Sequence, residues 1–219
     1  MKIGILGGTF NPIHLGHLHL AHEVRSKLDL DEIWFIPTGT PPHKTDEELA
    51  SPADRFEMVR LGISGHPFFK ISDIELKRVE KSYSIDTVRA IKKTYPRDEF
   101  FFMIGLDAFM DIPSWKESAA LLQSVHFIVV SRPGYHFMDL VRLPLFKECP
   151  VETLDQLDHH VIDRMKLHLS DFPEMLLLHI DPKPISSSEI RQNLKLHGRI
   201  GNNLLPEPVK SFILKKKVY

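Results

Sequence analysis

The sequence contains little cysteine, no long hydrophobic run and almost no net charge. Cys149 is the only cysteine among 219 residues, which excludes an intrachain disulfide and a thiolate metal cluster. No apolar run reaches the length of a membrane span, and the short N-terminal run does not fit a secretory signal. Because 28 Lys and Arg offset 29 Asp and Glu, no global basic field favours nucleic acid or a membrane surface. We therefore expect a cytoplasmic globular protein with an inert Cys149.

Short apolar runs alternate with helical patterns along the chain. The apolar runs occupy residues 2–6, 32–36, 68–74, 100–104, 125–130 and 175–180. Most are continuous rather than alternating, which is typical of parallel strands that are covered on both faces. Helical periodicity or helix-start signals occupy residues 16–28, 51–63, 84–95, 186–196 and the segment from 208. This order predicts an α/β fold: a Rossmann-like, doubly wound, mainly parallel sheet with helices on both faces.

The length is that of one domain over residues 1–219. Residues 136–174 fit this scheme least, because they combine several prolines and acidic residues with a candidate helix over 154–169 and no clear strand. We interpret them as an insertion in the same domain. Homo-oligomer formation cannot be decided from these patterns and stays open.

The segment after the first predicted strand lies where open parallel sheets bind ligands. Its residues are Gly7, Gly8, Thr9, Phe10, Asn11, Pro12, Ile13, His14, Leu15, Gly16 and His17. It fits neither the phosphate loop that ends in Gly-Lys-Ser/Thr nor the dinucleotide pattern Gly-x-Gly-x-x-Gly. It does offer a glycine pair that permits close backbone approach. Two histidines three residues apart follow at the start of a helix, where backbone amides favour an anion.

His14 and His17 alone admit two other interpretations. For so short a motif, a capping histidine beside a packed one is more common than a functional pair. A zinc site would need a third ligand of matching geometry, and no helix here carries His-Glu-x-x-His.

The wider context resembles the nucleotidyltransferase superfamily with the His-x-Gly-His motif, and in particular the bacterial nicotinate-nucleotide adenylyltransferases. Further blocks that resemble this family lie at residues 41–44, 83–87, 105–107, 113–115, 131–134, 185–191 and 204–209. The resemblance implies transfer of AMP from ATP to nicotinate mononucleotide in NAD biosynthesis, which gives deamido-NAD and pyrophosphate. It also implies Mg²⁺ as the ATP complex, with no metal held permanently by the protein.

The residue types agree with such chemistry. A nucleotide monophosphate has its second pKa near about 6, so it is mostly dianionic at neutral pH and needs no general base. The site must instead bring two polyanions together and stabilise the in-line transition state, which calls for cations and amide donors.

The resemblance assigns roles to individual residues. The catalytic residues would be His14, His17 and Lys44. The ATP-binding residues would be Gly8, Thr9, Phe10, His14, His17, Gly105, Asp107, Ser186, Ser187, Ser188 and Arg191. The residues that bind nicotinate mononucleotide would be His43, Lys44, Ser84, Thr87, Asp107, Trp115 and Arg132. Arg55 and Arg89 are weaker candidates for the anion-binding network.

Simpler interpretations exist for several of these residues. Ser186 and Glu189 have the spacing of a plain capping box, which can coexist with phosphate binding. Trp115 follows Pro113 closely and could be a packing aromatic, and Lys44 could be a solvated loop residue.

Other functions also remain open. They are a related adenylyltransferase that prefers nicotinamide mononucleotide or pantetheine phosphate, a non-catalytic nucleotide-binding regulator, and a zinc hydrolase.

Overall fold

The computed structural model describes residues 1–41, 49–78, 80–147, 149–167 and 172–219. Its strands are β1 (Lys2–Gly8), β2 (Glu32–Pro37), β3 (Phe69–Ile71), β4 (Glu99–Gly105), β5 (His126–Val130), β6 (Arg164–Leu167) and β7 (Met175–Leu178). Its α-helices are α1 (Leu15–Leu28), α2 (Pro52–Gly62), α3 (Ser84–Thr94), α4 (Leu106–Met110), α5 (Ser118–Ser124), α6 (Val151–Asp158), α7 (Ser187–His197) and α8 (Glu207–Lys216). None of the helices in these ranges combines the length and apolar character needed to cross a bilayer.

The strands form one sheet in the order β3-β2-β1-β4-β5-β7-β6. β2 pairs with β3, β4 with β5, and β5 with β7, all in parallel, whereas β6 runs antiparallel to β7. The predicted α/β fold with a mainly parallel sheet is therefore confirmed, and each of the six predicted strands is present.

The central strands explain why the predicted runs do not alternate. In β4, residues 100–104 are all buried, and in β5 the side chains of residues 127–130 are at most 1% exposed. Helices that cover both faces of a parallel sheet produce this continuous burial, and each buried Val or Phe stabilises the fold by roughly 1.5–3 kcal/mol. Cys149 is buried too, and burial raises the pKa of its thiol, as expected of an unreactive cysteine.

Residues 136–174 correct part of the sequence interpretation. The helix expected over 154–169 is α6, which ends at Asp158, and strand β6 follows where no strand was predicted. β6 escaped prediction because it is a four-residue edge strand with two exposed charged side chains, Arg164 and Lys166.

The five predicted helices correspond to α1, α2, α3, α7 and α8. The prediction missed α4 and α5, which have five and seven residues and are too short to show a helical period. The Ser186 cap and the Gly198 end of α7 are both present, with Gly198 in the left-handed conformation at φ 64°.

The chain divides into two compact units. One consists of Met1–Ile5 and Tyr83–Pro182, and the other of Leu6–Ser82 and Lys183–Tyr219. The single domain over 1–219 with an insertion at 136–174 stays a prediction.

Candidate active site

The loop after β1 is held in place by the ring of Phe10. Phe10 has a φ of 47°, a left-handed conformation that costs a bulky residue about 1–2 kcal/mol. Its ring packs on Gly8, where an added Cβ would lie 3.2 Å from a ring carbon. Ring centroids of Phe35 and His17 lie 5.8 and 5.1 Å away. This packing compensates for the strained backbone and fixes the path of the loop.

His14 and His17 form a stacked pair at the start of α1. Their ring centroids lie 3.7 Å apart with an interplanar angle of 29°. The backbone N–H of His14 donates to Nδ1 of His17 over 3.2 Å. Because Nδ1 accepts this bond, the neutral His17 ring carries its proton on Nε2 and can donate a hydrogen bond from there.

Gly16 permits this stacking. A Cβ at Gly16 would lie 2.9 Å from Nδ1 of His14, which is too close for any side chain unless the imidazole moves. The glycine of the His-x-Gly-His motif therefore sets the position of the first histidine ring. Gly16 is evident in the sequence, but its steric role follows only from its packing against the His14 ring.

The first turn of α7 contacts the glycine-led loop directly. Ser187 Oγ donates to the carbonyl of Pro12 over 2.8 Å, and Arg191 donates to the carbonyl of Asn11 over 2.9 Å. The Ser186 side chain caps the helix by accepting from the Glu189 N–H. Two segments about 175 residues apart in sequence are thereby brought together, with helix-start amides, a guanidinium group and two imidazoles in one region.

The buried side chain of Arg55, on α2, also stabilises this loop. It is 1% exposed and donates to four backbone carbonyls, those of Thr9, Thr38, Gly39 and Ala50, over 2.6–3.1 Å. Burial lowers the pKa of the guanidinium group, because the charged form is removed from water. Arg55 therefore fixes the backbone after β1 and β2, a role that residue type alone could not reveal.

Asn11 is anchored by its side chain as well. Its Oδ1 accepts from the Ala50 N–H over 3.0 Å and from the Tyr219 hydroxyl over 2.8 Å. Burial raises the pKa of Tyr219, so the phenol remains a hydrogen-bond donor.

A second group of predicted residues lies where β4 and β5 end, in the unit formed by Met1–Ile5 and Tyr83–Pro182. Arg132 Nε lies 3.4 Å from Asp107 Oδ1, and the two side chains are 42% and 46% exposed. A Cβ at Gly105 would lie 2.4 Å from each of these atoms. Only glycine at the end of β4 allows the pair to close over the backbone.

Trp115, Ser84 and Thr87 lie in this second unit too. Trp115 is half-buried and meets Phe102 edge to face at 6.4 Å between centroids. Ser84 is the partly exposed first residue of α3. Thr87 is 2% exposed, and its hydroxyl donates to the Tyr83 carbonyl over 3.3 Å.

Two further cations near α3 are already paired. Arg89 makes a two-bond contact with Glu117 over 2.7 and 3.1 Å, and Lys116 contacts Asp86 over 2.9 Å. His43 and Lys44 lie outside the described residues.

A family model and two solved structures indicate the class of this protein. The family model described as cytidylyltransferase-like matches residues 5–193. Among solved structures, Plasmodium falciparum nicotinic acid mononucleotide adenylyltransferase complexed with NaAD has a TM-score of 0.71 to this chain at 22% identity. The alignment covers 99% of this chain and 96% of that one. The same enzyme complexed with APC has a TM-score of 0.70, with the same identity and coverage. Together with the sheet order, these matches define an α/β nucleotidyltransferase.

Curated relatives narrow the class. The chain is 47% identical to the "Probable nicotinate-nucleotide adenylyltransferase" of Geotalea daltonii and 43% identical to that of Geobacter metallireducens. Each alignment covers 219 residues, 100% of this chain and 98% of the relative. The chain belongs to the nicotinate-nucleotide adenylyltransferase family and is an enzyme.

Proposed function

We propose that this enzyme transfers AMP from ATP to nicotinate mononucleotide, forming deamido-NAD and releasing pyrophosphate. The observation that carries the proposal is the contact of the glycine-led loop with the first turn of α7, through Ser187 to Pro12 and Arg191 to Asn11. Backbone amides, imidazoles and a guanidinium group in one region suit a triphosphate.

The reaction itself needs little proton chemistry. A phosphate oxygen of the mononucleotide attacks the α-phosphorus of ATP, and the bond from that phosphorus to the pyrophosphate oxygen breaks. Since the attacking phosphate is largely dianionic above its second pKa of about 6, no side chain has to remove a proton. Catalysis then depends on alignment and on donors directed at the charge of the transition state.

The ATP side is assigned to the loop and α7. Gly8, Thr9 and Phe10 offer backbone approach, and His14 and His17 donate to phosphate oxygens. His17 is the main transition-state donor, because its Nδ1 already accepts the His14 N–H and leaves Nε2–H to donate. The remaining proposed ATP contacts come from Gly105, Asp107, Ser186, Ser187, Ser188 and Arg191.

The mononucleotide side is assigned mainly to residues that follow β4 and β5 and to α3. Trp115 stacks on the pyridine ring, and Arg132 supplies a cation. Asp107 and Ser84 help to orient the nucleotide. We also assign Thr87, His43 and Lys44 to binding of the mononucleotide.

We assign Mg²⁺ to ATP rather than to a protein cage. Residues 7–17 contain no carboxylate, so the oxygen ligands that Mg²⁺ requires would be phosphate oxygens and water. When bound, the ion reduces the repulsion between the two polyanions. We also propose a cytoplasmic location, since the single cysteine is buried and unpaired.

The test is pyrophosphate release from ATP and Mg²⁺ with either nicotinate or nicotinamide mononucleotide as acceptor. We expect rapid release with the acid and much slower release with the amide. Equal or faster turnover of the amide would overturn the substrate assignment. ATP binding without turnover of either acceptor would indicate a nucleotide-binding regulator and overturn the proposed activity.

A further inference from the structure

Two histidines and an aspartate come together in the unit formed by Met1–Ile5 and Tyr83–Pro182. His160 lies in the turn after α6, and His179 and Asp181 follow β7. One ligand atom from each residue lies within 4.8 Å of the other two. None of the three has a part in the proposed reaction. We propose that they form a binding site for a divalent transition-metal ion such as Zn²⁺, distinct from the Mg²⁺ that accompanies ATP.

The backbone already positions two of the ligands. His179 and Asp181 are two residues apart in extended chain and so project to the same side, while Ile180 between them is buried at 4% exposure. Ser131 Oγ bonds both the N–H and the carbonyl of Ile180 over 2.9 Å, and the His179 N–H donates to the Asp163 carbonyl over 2.8 Å. These bonds hold the strand end in place without using the ligand atoms.

The third ligand reaches the same place from a tight turn. His160 has a left-handed backbone with φ 58°, and its N–H donates to the Leu157 carbonyl at the end of α6 over 3.3 Å. The His160 and His179 ring centroids lie 3.6 Å apart with an interplanar angle of 39°. The turn therefore brings a second imidazole against the first.

The distances suit a small metal ion. His179 Nε2 lies 3.4 Å from Asp181 Oδ1. Two ligands at about 2.0–2.2 Å from a tetrahedral Zn²⁺ are separated by roughly 3.3–3.6 Å, so this pair already has the required spacing. The Asp181 side chain is 92% exposed and His160 is exposed, so an ion from solution can reach both ligand atoms.

The donor set selects the kind of metal. Two imidazole nitrogens and one carboxylate oxygen suit Zn²⁺, Co²⁺ or Ni²⁺, whereas Mg²⁺ prefers oxygen ligands. Three protein ligands leave a fourth position for water. A bound ion would link the turn after α6 to the end of β7 and stabilise the folded chain.

The experiment titrates the metal-free full-length protein with Co²⁺, followed by visible absorption, and with Zn²⁺, followed by calorimetry. We expect one metal ion per chain to bind more tightly than any other, and we call it the tightest equivalent. Millimolar Mg²⁺ should not affect its binding, and excess Zn²⁺ should raise the Tm of the protein. His160→Ala and His179→Ala should abolish that equivalent, and Asp181→Asn should weaken it at least tenfold.

His159→Ala is the matched control, because His159 is the neighbouring exposed histidine outside the triad. It should keep the tightest equivalent. The exposed pair His22 and His66, whose nitrogens lie 3.0 Å apart, is another place where Zn²⁺ could bind, so His22→Ala serves as a second control. Circular dichroism of each metal-free variant checks that it folds. An unchanged tightest equivalent in both His160→Ala and His179→Ala would overturn the proposal, as would equal affinity for Mg²⁺.

Discussion

The loop with α7 and the group after β4 and β5 position their polar side chains in different ways. In the first region, Arg55 is 1% exposed and bonded to four carbonyls, and Ser187 and Arg191 are tied to loop carbonyls. In the second, Arg132 and Asp107 form an ion pair with both side chains more than 40% exposed. The first region is fixed by buried and part-buried hydrogen bonds to backbone carbonyls, while the exposed side chains of the second can rearrange around a ligand.

This difference matches the chemistry proposed for each region. Donors for a transferring phosphoryl group gain from being fixed in advance, since no reorganisation is then needed at the moment of reaction. An exposed ion pair contributes little free energy and is screened by salt, so a substrate can replace it with only a small loss of free energy. Four changes would break or sharpen this contrast.

The largest effect is expected from His17→Ala. If His17 is the transition-state donor proposed above, its removal should lower kcat about 10²–10³-fold, while ATP binding changes little. Steady-state kinetics together with equilibrium ATP binding measure the two effects separately. His19→Ala, on the same helix, is the control and should retain most of the activity. Equal losses in kcat and ATP affinity would show that His17 acts only in binding.

Arg55→Met should give the largest loss of stability. Several buried carbonyls would lose their donor, at roughly 1–3 kcal/mol for each one left unsatisfied, so the free energy of unfolding should fall by about 3 kcal/mol or more. Urea unfolding measures this. Arg60→Met, on the same helix, removes an exposed Arg that pairs with Glu57 and should have a much smaller effect. Similar losses in the two variants would contradict the supporting role of Arg55.

Gly105→Ala should disturb the second region without unfolding the protein. The new methyl group would collide with Asp107 and Arg132 and displace both exposed side chains. Since Asp107 is assigned to both substrates, we expect the KM for the mononucleotide and the KM for ATP each to rise about tenfold, short of the roughly 10²-fold that a 1 Å misplacement of reacting groups can cost. Kinetics with each substrate varied in turn would check this. An unchanged KM would show that the ion pair has no part in substrate binding.

The smallest effect concerns His126, which begins β5. Its Nδ1 accepts from the Glu174 N–H over 3.0 Å, and burial lowers the pKa of the imidazole. Because the folded protein favours the neutral ring, His126 contributes to the free energy of unfolding at pH values above its ordinary pKa of 6.5. This contribution is lost as the pH falls through the lowered pKa of the folded state.

We expect acidification from pH 7.5 to 5.5 to lower Tm through this group. Thermal melts at both pH values would measure the shift. His126→Gln retains an acceptor but cannot titrate, so its Tm should depend less on pH. An identical pH dependence in the variant would assign the effect to other groups.

Much of the first region could be predicted from the sequence, because each of its two segments is a short local motif. The glycine pair, His14, His17 and the serine cap of α7 form local motifs with a known physical use. Arg55 could not be assigned its role, since an arginine on a helix gives no indication that it will be buried under carbonyls from three other segments. The same holds for the triad of His160, His179 and Asp181, whose members meet because β6, the strand that follows His160 in the chain, pairs with β7.

The hydrogen bond from the His14 N–H to His17 Nδ1 has a consequence for how the enzyme responds to alkaline conditions. A site that relied on an imidazolium cation would lose its contact with phosphate once the ring gave up its charge. Here the uncharged ring carries its proton on Nε2, so the phosphate contact proposed for His17 does not require a charged imidazole. The rate of AMP transfer should consequently form a plateau on the basic side of neutrality rather than fall with the loss of positive charge.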